Sequence, residues 1–234
     1  MKRTWMMVTA GLLGLGAAGC VKDLALAPLP PKVAVVVHYW HFNALPTGTI
    51  TAVTADVSKL SGAEITYPGT GAGYMDQVDP GSMLNAVSGQ LAGLGLRPRN
   101  PANTRDLIIV APSTGYEKLV VTFAVMRSSS GAAQEDFSYS VDGGTTWVVV
   151  GAAYNIELDY ALKTVDLAAV AAVNNKATLR FRIRFLGDLA AGASGNNRFD
   201  NFKVETLKFS EGAEFNTIAC TGRALIVTPA SARS

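Results

Sequence analysis

The clearest alternation of apolar and polar positions lies in the stretch FSYSVDGGTTW, from Phe137 to Trp147. Phe137, Tyr139 and Val141 alternate with Ser138 and Ser140, the period of a strand with one buried face, and Asp142-Gly143-Gly144 supplies a tight turn. The two glycines can take positive φ without a Cβ clash, and the Asp142 carboxylate can accept from backbone N–H groups further on. Residues 145–150 then return as the second strand of a hairpin. Residues 178–185 alternate equally cleanly, with Leu179, Phe181, Ile183 and Phe185 inward and Arg180, Arg182 and Arg184 outward. Residues 118–126 (KLVVTFAVM) are apolar on both faces, which predicts a central strand.

Weaker patterns fill the intervals. Strands are expected at residues 33–42, 64–67, 94–99, 107–111, 156–165 and 198–209, with a strand and a loop sharing 45–62. The strand at 94–99 ends at Pro98 and Pro101, which suggests a sheet edge. Residues 68–81 (PGTGAGYMDQVDPG) carry so many glycines and prolines that a loop without regular structure is expected. Residues 166–175 are expected as a helical turn or loop, 187–197 as a loop, and 210–234 as a tail with one apolar run at 224–227. About ten short strands, without a long amphipathic helix, predict an all-β fold: a two-sheet β-sandwich of jelly-roll type.

Composition changes this picture mainly at the N-terminus. The chain has 234 residues, 49% hydrophobic and 16% charged, enough for one large domain with its own core. Lys2 and Arg3 precede an apolar run from Trp5 to Leu15 and then Ala17-Ala18-Gly19-Cys20, the layout of a secretory signal too short to span a bilayer as a helix. This end resembles the lipobox of bacterial lipoproteins, with Ala17 where that family prefers Leu. The resemblance implies cleavage before Cys20, lipidation of its sulfur and a firm membrane anchor. Val21 rather than Asp follows the cysteine, which resembles the outer-membrane sorting pattern. An ordinary signal peptide with a chance cysteine is the alternative. The expected organisation is therefore a signal peptide at 1–19, a tether at 20–32 stiffened by Pro28, Pro30 and Pro31, a β-sandwich at 33–209 and the tail.

Cleavage removes Lys2 and Arg3, so 20 Lys+Arg become 18 against 18 Asp+Glu. A neutral mature chain gives no global electrostatic case for nucleic acid. Only Cys220 is left beyond the lipidation site, so no intrachain disulfide is available.

Two motifs carry a further resemblance. Ser140, Asp142, Gly144, Thr146 and Trp147 match the Asp-box hairpin, SxDxGxTW, in which the Asp ties down the turn and the Trp packs beneath it. A single copy does not resemble a sialidase propeller, which repeats it. The closing run Asn197-Arg198-Phe199-Asp200-Asn201-Phe202-Lys203-Val204 resembles that of jelly-roll domains grouped as MAM-like, choice-of-anchor and carbohydrate-binding modules. With residues 96–101 (LRPRNP) and Thr114-Gly115-Tyr116, the chain resembles a jelly-roll domain of Gram-negative surface lipoproteins. That implies a lipid-anchored, non-catalytic surface domain whose partner is a glycan or another envelope protein; a glycan-active hydrolase is the weaker alternative.

Candidate sites follow, each with an ordinary structural alternative. Asp200 is expected on the inward face with Phe202 and Val204. The resemblance implies that Asp200, with Asn201, can ligate a structural Ca²⁺, while bonding to backbone N–H groups or to Arg198 is the alternative. Asp76 and Asp79 form a second candidate loop site or are simply solvated. Arg180, Arg182 and Arg184 form a basic row that suits uronic-acid or sulfated polymers, or else pairs with carboxylates such as Glu205 or Asp136. Tyr74 and Tyr116 are loop aromatics suited to stacking on sugar rings, and Trp147 is expected under the hairpin.

Catalytic patterns are incomplete. His38 and His41 are three apart, on opposite faces of a strand, and Ser113 lacks the first glycine of a nucleophile elbow. Glu157 and Asp159 resemble two carboxylates of a jelly-roll glycosidase strand, but Leu162 stands where the third belongs.

Overall fold

In the computed structural model, which describes residues 32–209, 219–220 and 223–224, the chain crosses between two antiparallel sheets almost strand by strand. The first sheet holds β1 (Lys32–Trp40), β3 (Val57–Ser58), β5 (Met75–Val78), β6 (Gly95–Pro98), β8 (Leu119–Arg127), β12 (Ala161–Asp166) and β14 (Asn197–Phe209). The second holds β2 (Ala52–Thr54), β4 (Glu64–Thr66), β7 (Asp106–Val110), β9 (Gln134–Ser140), β10 (Val148–Val149), β11 (Tyr154–Asn155) and β13 (Arg180–Leu186). Their orders are β12-β8-β14-β1-β3, with β6 on β14 and β5 on β6, and β10-β9-β13-β7-β4-β2, with β11 on β9. This is a two-sheet jelly-roll β-sandwich. A two-residue pair, β15 (Ala219–Cys220) with β16 (Arg223–Ala224), is described on its own. The signal peptide, Cys20, the tether and most of the tail lie outside the described residues.

The core lies between the two inner faces. Trp40, Phe123, Phe199 and Phe202 project from the first sheet and Ile65, Leu107, Ile109, Phe137, Phe181, Ile183 and Phe185 from the second, all buried. Phe123 stacks on Phe202 with centroids 4.9 Å apart, and Phe185 meets Phe199 edge-on across the sheets at 6.2 Å. Aromatic pairs of this kind contribute roughly 0.5–1.5 kcal/mol each beyond area burial. β8 is central, flanked by β12 and β14, as its two apolar faces require.

Several expectations need correction. Met75–Val78 forms β5 within the presumed loop; it pairs with β6 along its length and with Ile50 through a single bridge at Met75, so its burial pattern stays weak between the flanking glycines and prolines. Residues 145–150 provide only a two-residue strand, because the turn extends to Thr146 through side-chain bonds. Residues 156–165 form a strand only from Ala161, and Glu157 and Asp159 sit in an exposed loop.

The largest departure lies in β14. Against β8, three residue steps from Asp200 to Lys203 face two from Ala124 to Thr122, a β-bulge, and Asn201 takes φ +47°. The inserted residue lets Phe199 and Phe202 both reach the core. Asp200 consequently points away from the core, where residues 79–94 fold back over the first sheet and bury it.

Candidate functional site

The two outer faces differ in what they present. On the first sheet, Asp200 and Asn201 anchor the covering loop. One carboxylate oxygen of Asp200 accepts from Ser82 N at 2.5 Å and the other from Asn201 N at 2.7 Å. The Asn201 amide donates to Ser82 O at 2.7 Å and Leu84 O at 3.0 Å, while its oxygen accepts from the Tyr39 hydroxyl. Asn85 closes the staple by donating to Asn201 O at 2.7 Å and Thr122 Oγ1 at 3.0 Å. Burial outweighs the two N–H donors and pushes the Asp200 carboxyl up to about 7. A calcium ion does not fit here. It needs about six to eight oxygens, the side-chain oxygens of both residues are already bonded, and no cluster of three His, Cys, Asp or Glu exists among the described residues.

On the second sheet the outer face is a polar platform. β13 alternates as its sequence predicts, with Phe181, Ile183 and Phe185 in the core and the three arginines outside. Register places Arg180 opposite Ser140, Arg182 opposite Ser138 and Arg184 opposite Asp136 on β9. On the other side lie Val110, Ile108 and Asp106 of β7. Glu64 and Thr66 of β4 continue the face. At about 4.8 Å per strand the platform is roughly 20 Å wide. Asp136, Ser138, Ser140 and Ile108 of this face are buried, while Arg180, Arg182 and Arg184 are partly exposed.

The hairpin supplies this platform with its aromatic ring. Gly143 and Gly144 have φ of +75° and +96°. Asp142 accepts from Thr145 N at 3.0 Å, Thr146 N at 2.9 Å, Thr146 Oγ1 at 2.6 Å and Ser140 Oγ at 2.7 Å. These donors hold the exposed carboxylate far below the usual range, the Thr146 hydroxyl most of all. Trp147 leaves the turn half-buried, with its indole against the Arg182 guanidinium, 4.5 Å from ring centroid to Cζ. Its Cζ2 edge lies 3.4 Å from where a Cβ on Gly144 would stand, so the tryptophan both lies along the turn and extends over the arginine row.

The three arginines are not equivalent. Arg184 is engaged by Asp136, its Nε 3.1 Å from either carboxylate oxygen. Arg182 has Asp106 at a loose 3.8 Å, and burial lowers its pKa against the pull of that acid. Its Nε and Ser138 Oγ are buried without a hydrogen-bond partner. Arg180 makes no ion pair or hydrogen bond among the described residues. The pairing with Asp136 was among those anticipated. Glu205 is not available, because it lies on β14 in the other sheet, 3.3 Å from Lys203.

The remaining candidates sit elsewhere. Tyr74 precedes β5, 39% exposed, with the Arg99 Cζ 5.4 Å from its ring centroid. Asp76 is held by Arg97 at 2.8 Å and Arg99 at 2.9 Å, while Asp79 is exposed, so the two do not form a joint site. Tyr116 is half-buried against the core in the loop between β7 and β8. His38 is buried between Ser58 and Pro112, whereas His41 lies beside Asp56. Sequence reading passed over Glu135, which is completely buried between the sheets. Asn197 Nδ2 donates to it at 2.8 Å and Tyr154 OH at 3.4 Å, and burial pushes its carboxyl up to about 8. The signal was present: Glu135 keeps the inward phase of Phe137 and Tyr139.

No protein-family model matches the chain, and no curated protein does. Among solved structures it is similar to the carbohydrate-binding module TmCBM61 in complex with β-1,4-galactotriose, at 12% identity and a TM-score of 0.39 over 60% of this chain and 86% of that one. The N-terminal CBM22 tandem of Paenibacillus barcinonensis Xyn10C gives 11% identity and a TM-score of 0.47 over 77% of this chain and 47% of that one. The family 11 carbohydrate-binding module of Clostridium thermocellum, solved with a β-1,3-1,4-mixed-linked tetrasaccharide, gives 12% identity and a TM-score of 0.39 over 60% and 87%.

Proposed function

We propose that the chain is a lipid-anchored, non-catalytic surface β-sandwich that binds carbohydrate on the outer face of its second sheet. The observation that carries this reading is the partly exposed Trp147 indole beside the partly exposed Arg182 and Arg180. An indole face accepts the C–H face of a pyranose, and guanidinium N–H groups in a fixed fork bind its oxygens. The lipobox resemblance at Cys20, followed by a Pro-rich segment, supports display at the bacterial outer membrane. Calcium has no part in the reading.

The test is a polysaccharide screen of the full chain with calcium and with EDTA, repeated on Trp147→Ala. Binding is expected to be indifferent to EDTA and at least about tenfold weaker in Trp147→Ala, in keeping with the roughly 1–3 kcal/mol of a buried aromatic contact. Retention of full affinity by the variant would remove the platform from the reading. Cys20→Ala should move the protein from the membrane to the soluble fraction; unchanged fractionation would end the lipoprotein assignment.

One observation favours a second reading, contact with an envelope protein. The uncharged stretch 80–96 exposes Met83, Leu84 and Leu91 at 60%, 42% and 75%. Failure to bind any polymer would move the assignment there.

A further inference from the structure

The face of β13 separates three guanidiniums by what each already holds. Arg184 has a carboxylate of its own, and Arg182 is shared between the Trp147 ring and Asp106. Arg180 has neither. Its cross-strand neighbours are Ser140 and Val110, which bring no acid. The nearest acid along the hairpin, Asp142, is consumed by the donors of its own turn. Glu64 stands opposite Val110, two strands from Arg180 and therefore roughly 10 Å away across the sheet.

Arg180 also lies against the hairpin turn. A Cβ on Gly144 would lie 3.5 Å from its Nη1 and 3.7 Å from its Cδ, and 3.4 Å from Trp147 Cζ2. The arginine stem, the bare glycine and the edge of the indole therefore meet at one point. A guanidinium without an acid or hydrogen-bond partner among the described residues stands beside the ring on which a sugar would stack. Neutral hydroxyls leave its charge uncompensated; a planar carboxylate matches both charge and fork.

We infer that this site selects acidic glycans, with a uronate ring on Trp147 and its carboxylate on Arg180. The inference rests on the carbohydrate reading above and goes beyond it by naming the sugar class. Titration calorimetry of the full chain in about 0.15 M salt with polygalacturonate, its methyl ester, neutral β-1,4-galactan and dextran sulfate tests it. The unmodified protein should bind polygalacturonate about tenfold or more tighter than the ester, the scale of a charge-assisted bidentate contact. Arg180→Gln should bring that ratio close to one while melting like the unmodified protein, because the side chain it replaces bonds nothing in the fold. Equal affinity for acid and ester would overturn the inference and leave the carbohydrate reading standing. Dextran sulfate bound as tightly as polygalacturonate, with or without Arg180, would overturn it as diffuse electrostatics. No binding to any of the four, the neutral polymer included, would instead remove the carbohydrate reading itself. Because the ester comparison alters the ligand rather than the protein, it decides the matter even if the variant folds poorly.

Discussion

The two sheets use polar residues on their outer faces in opposite ways. On the first, Asp200, Asn201, Asn85 and Ser82 spend their hydrogen-bonding capacity on one another and on backbone, and a loop seals them from water. On the second, the serines and Asp136 are buried but the three arginines are partly exposed, and one of them, Arg180, has no acid or hydrogen-bond partner among the described residues. Both faces hold conspicuous Asp and Asn or Arg residues in motif-like runs. What separates them is whether the partners come from within the chain. A satisfied, covered network specifies structure; a partly exposed group without such partners is available to a ligand.

Removing Asn201 should have the largest effect. Asn201→Ala deletes both amide donors to the loop and the acceptor of Tyr39, and leaves a positive φ without the residue type that tolerates it. A loss on the order of 3–4 kcal/mol is expected by urea denaturation, with glycan affinity unchanged once the protein is folded. Lost affinity at full stability would erase the division between the faces.

The second effect is a pH dependence of stability from two buried carboxyls, Asp200 on the sealed face and Glu135 between the sheets. The folded state holds the Glu135 carboxyl near 8 against 4.5, and Asp200 near 7 against 3.8. Both are raised, so the native state binds protons more tightly than the unfolded chain. Their contribution is fully present below about pH 4 and is lost as pH rises through 7 and 8. Unfolding free energy, and melting temperature with it, should therefore fall steadily between pH 5 and 8. Glu135→Gln, which keeps a neutral acceptor for Asn197, should flatten that slope. An unchanged slope would show that Glu135 titrates in the ordinary carboxylate range.

These two residues also show where the sequence was legible. Period-2 alternation identified β9, β13 and the central β8 because each keeps its phase from end to end. The same rule misplaced Asp200, since one inserted residue in β14 reverses the phase halfway along an otherwise regular strand. The Asp-Asn pair suits such a bulge but does not announce it, because much of what stabilises it comes from Ser82, more than a hundred residues away in sequence. The platform was half legible. The arginine row followed from alternation, and the hairpin from its Asp-box residues. That Trp147 would reach Arg182 depends on β10 pairing with β9 and β9 with β13, which only the folded register supplies.

The smallest expected effect on stability comes from Gly144→Val, on the open side. Its φ of +96° penalises a β-branched residue, but the turn is exposed and the carboxylate of Asp142 holds it independently. About 1–2 kcal/mol should be lost by thermal denaturation. The valine would also have to enter the point where Trp147 and Arg180 meet, 3.4 and 3.5 Å from its first carbon. Binding should therefore fall more steeply than stability, the reverse of Asn201→Ala. A Gly144→Val protein that binds normally yet melts much lower would place the hairpin with the sealed face, as a structural device alone.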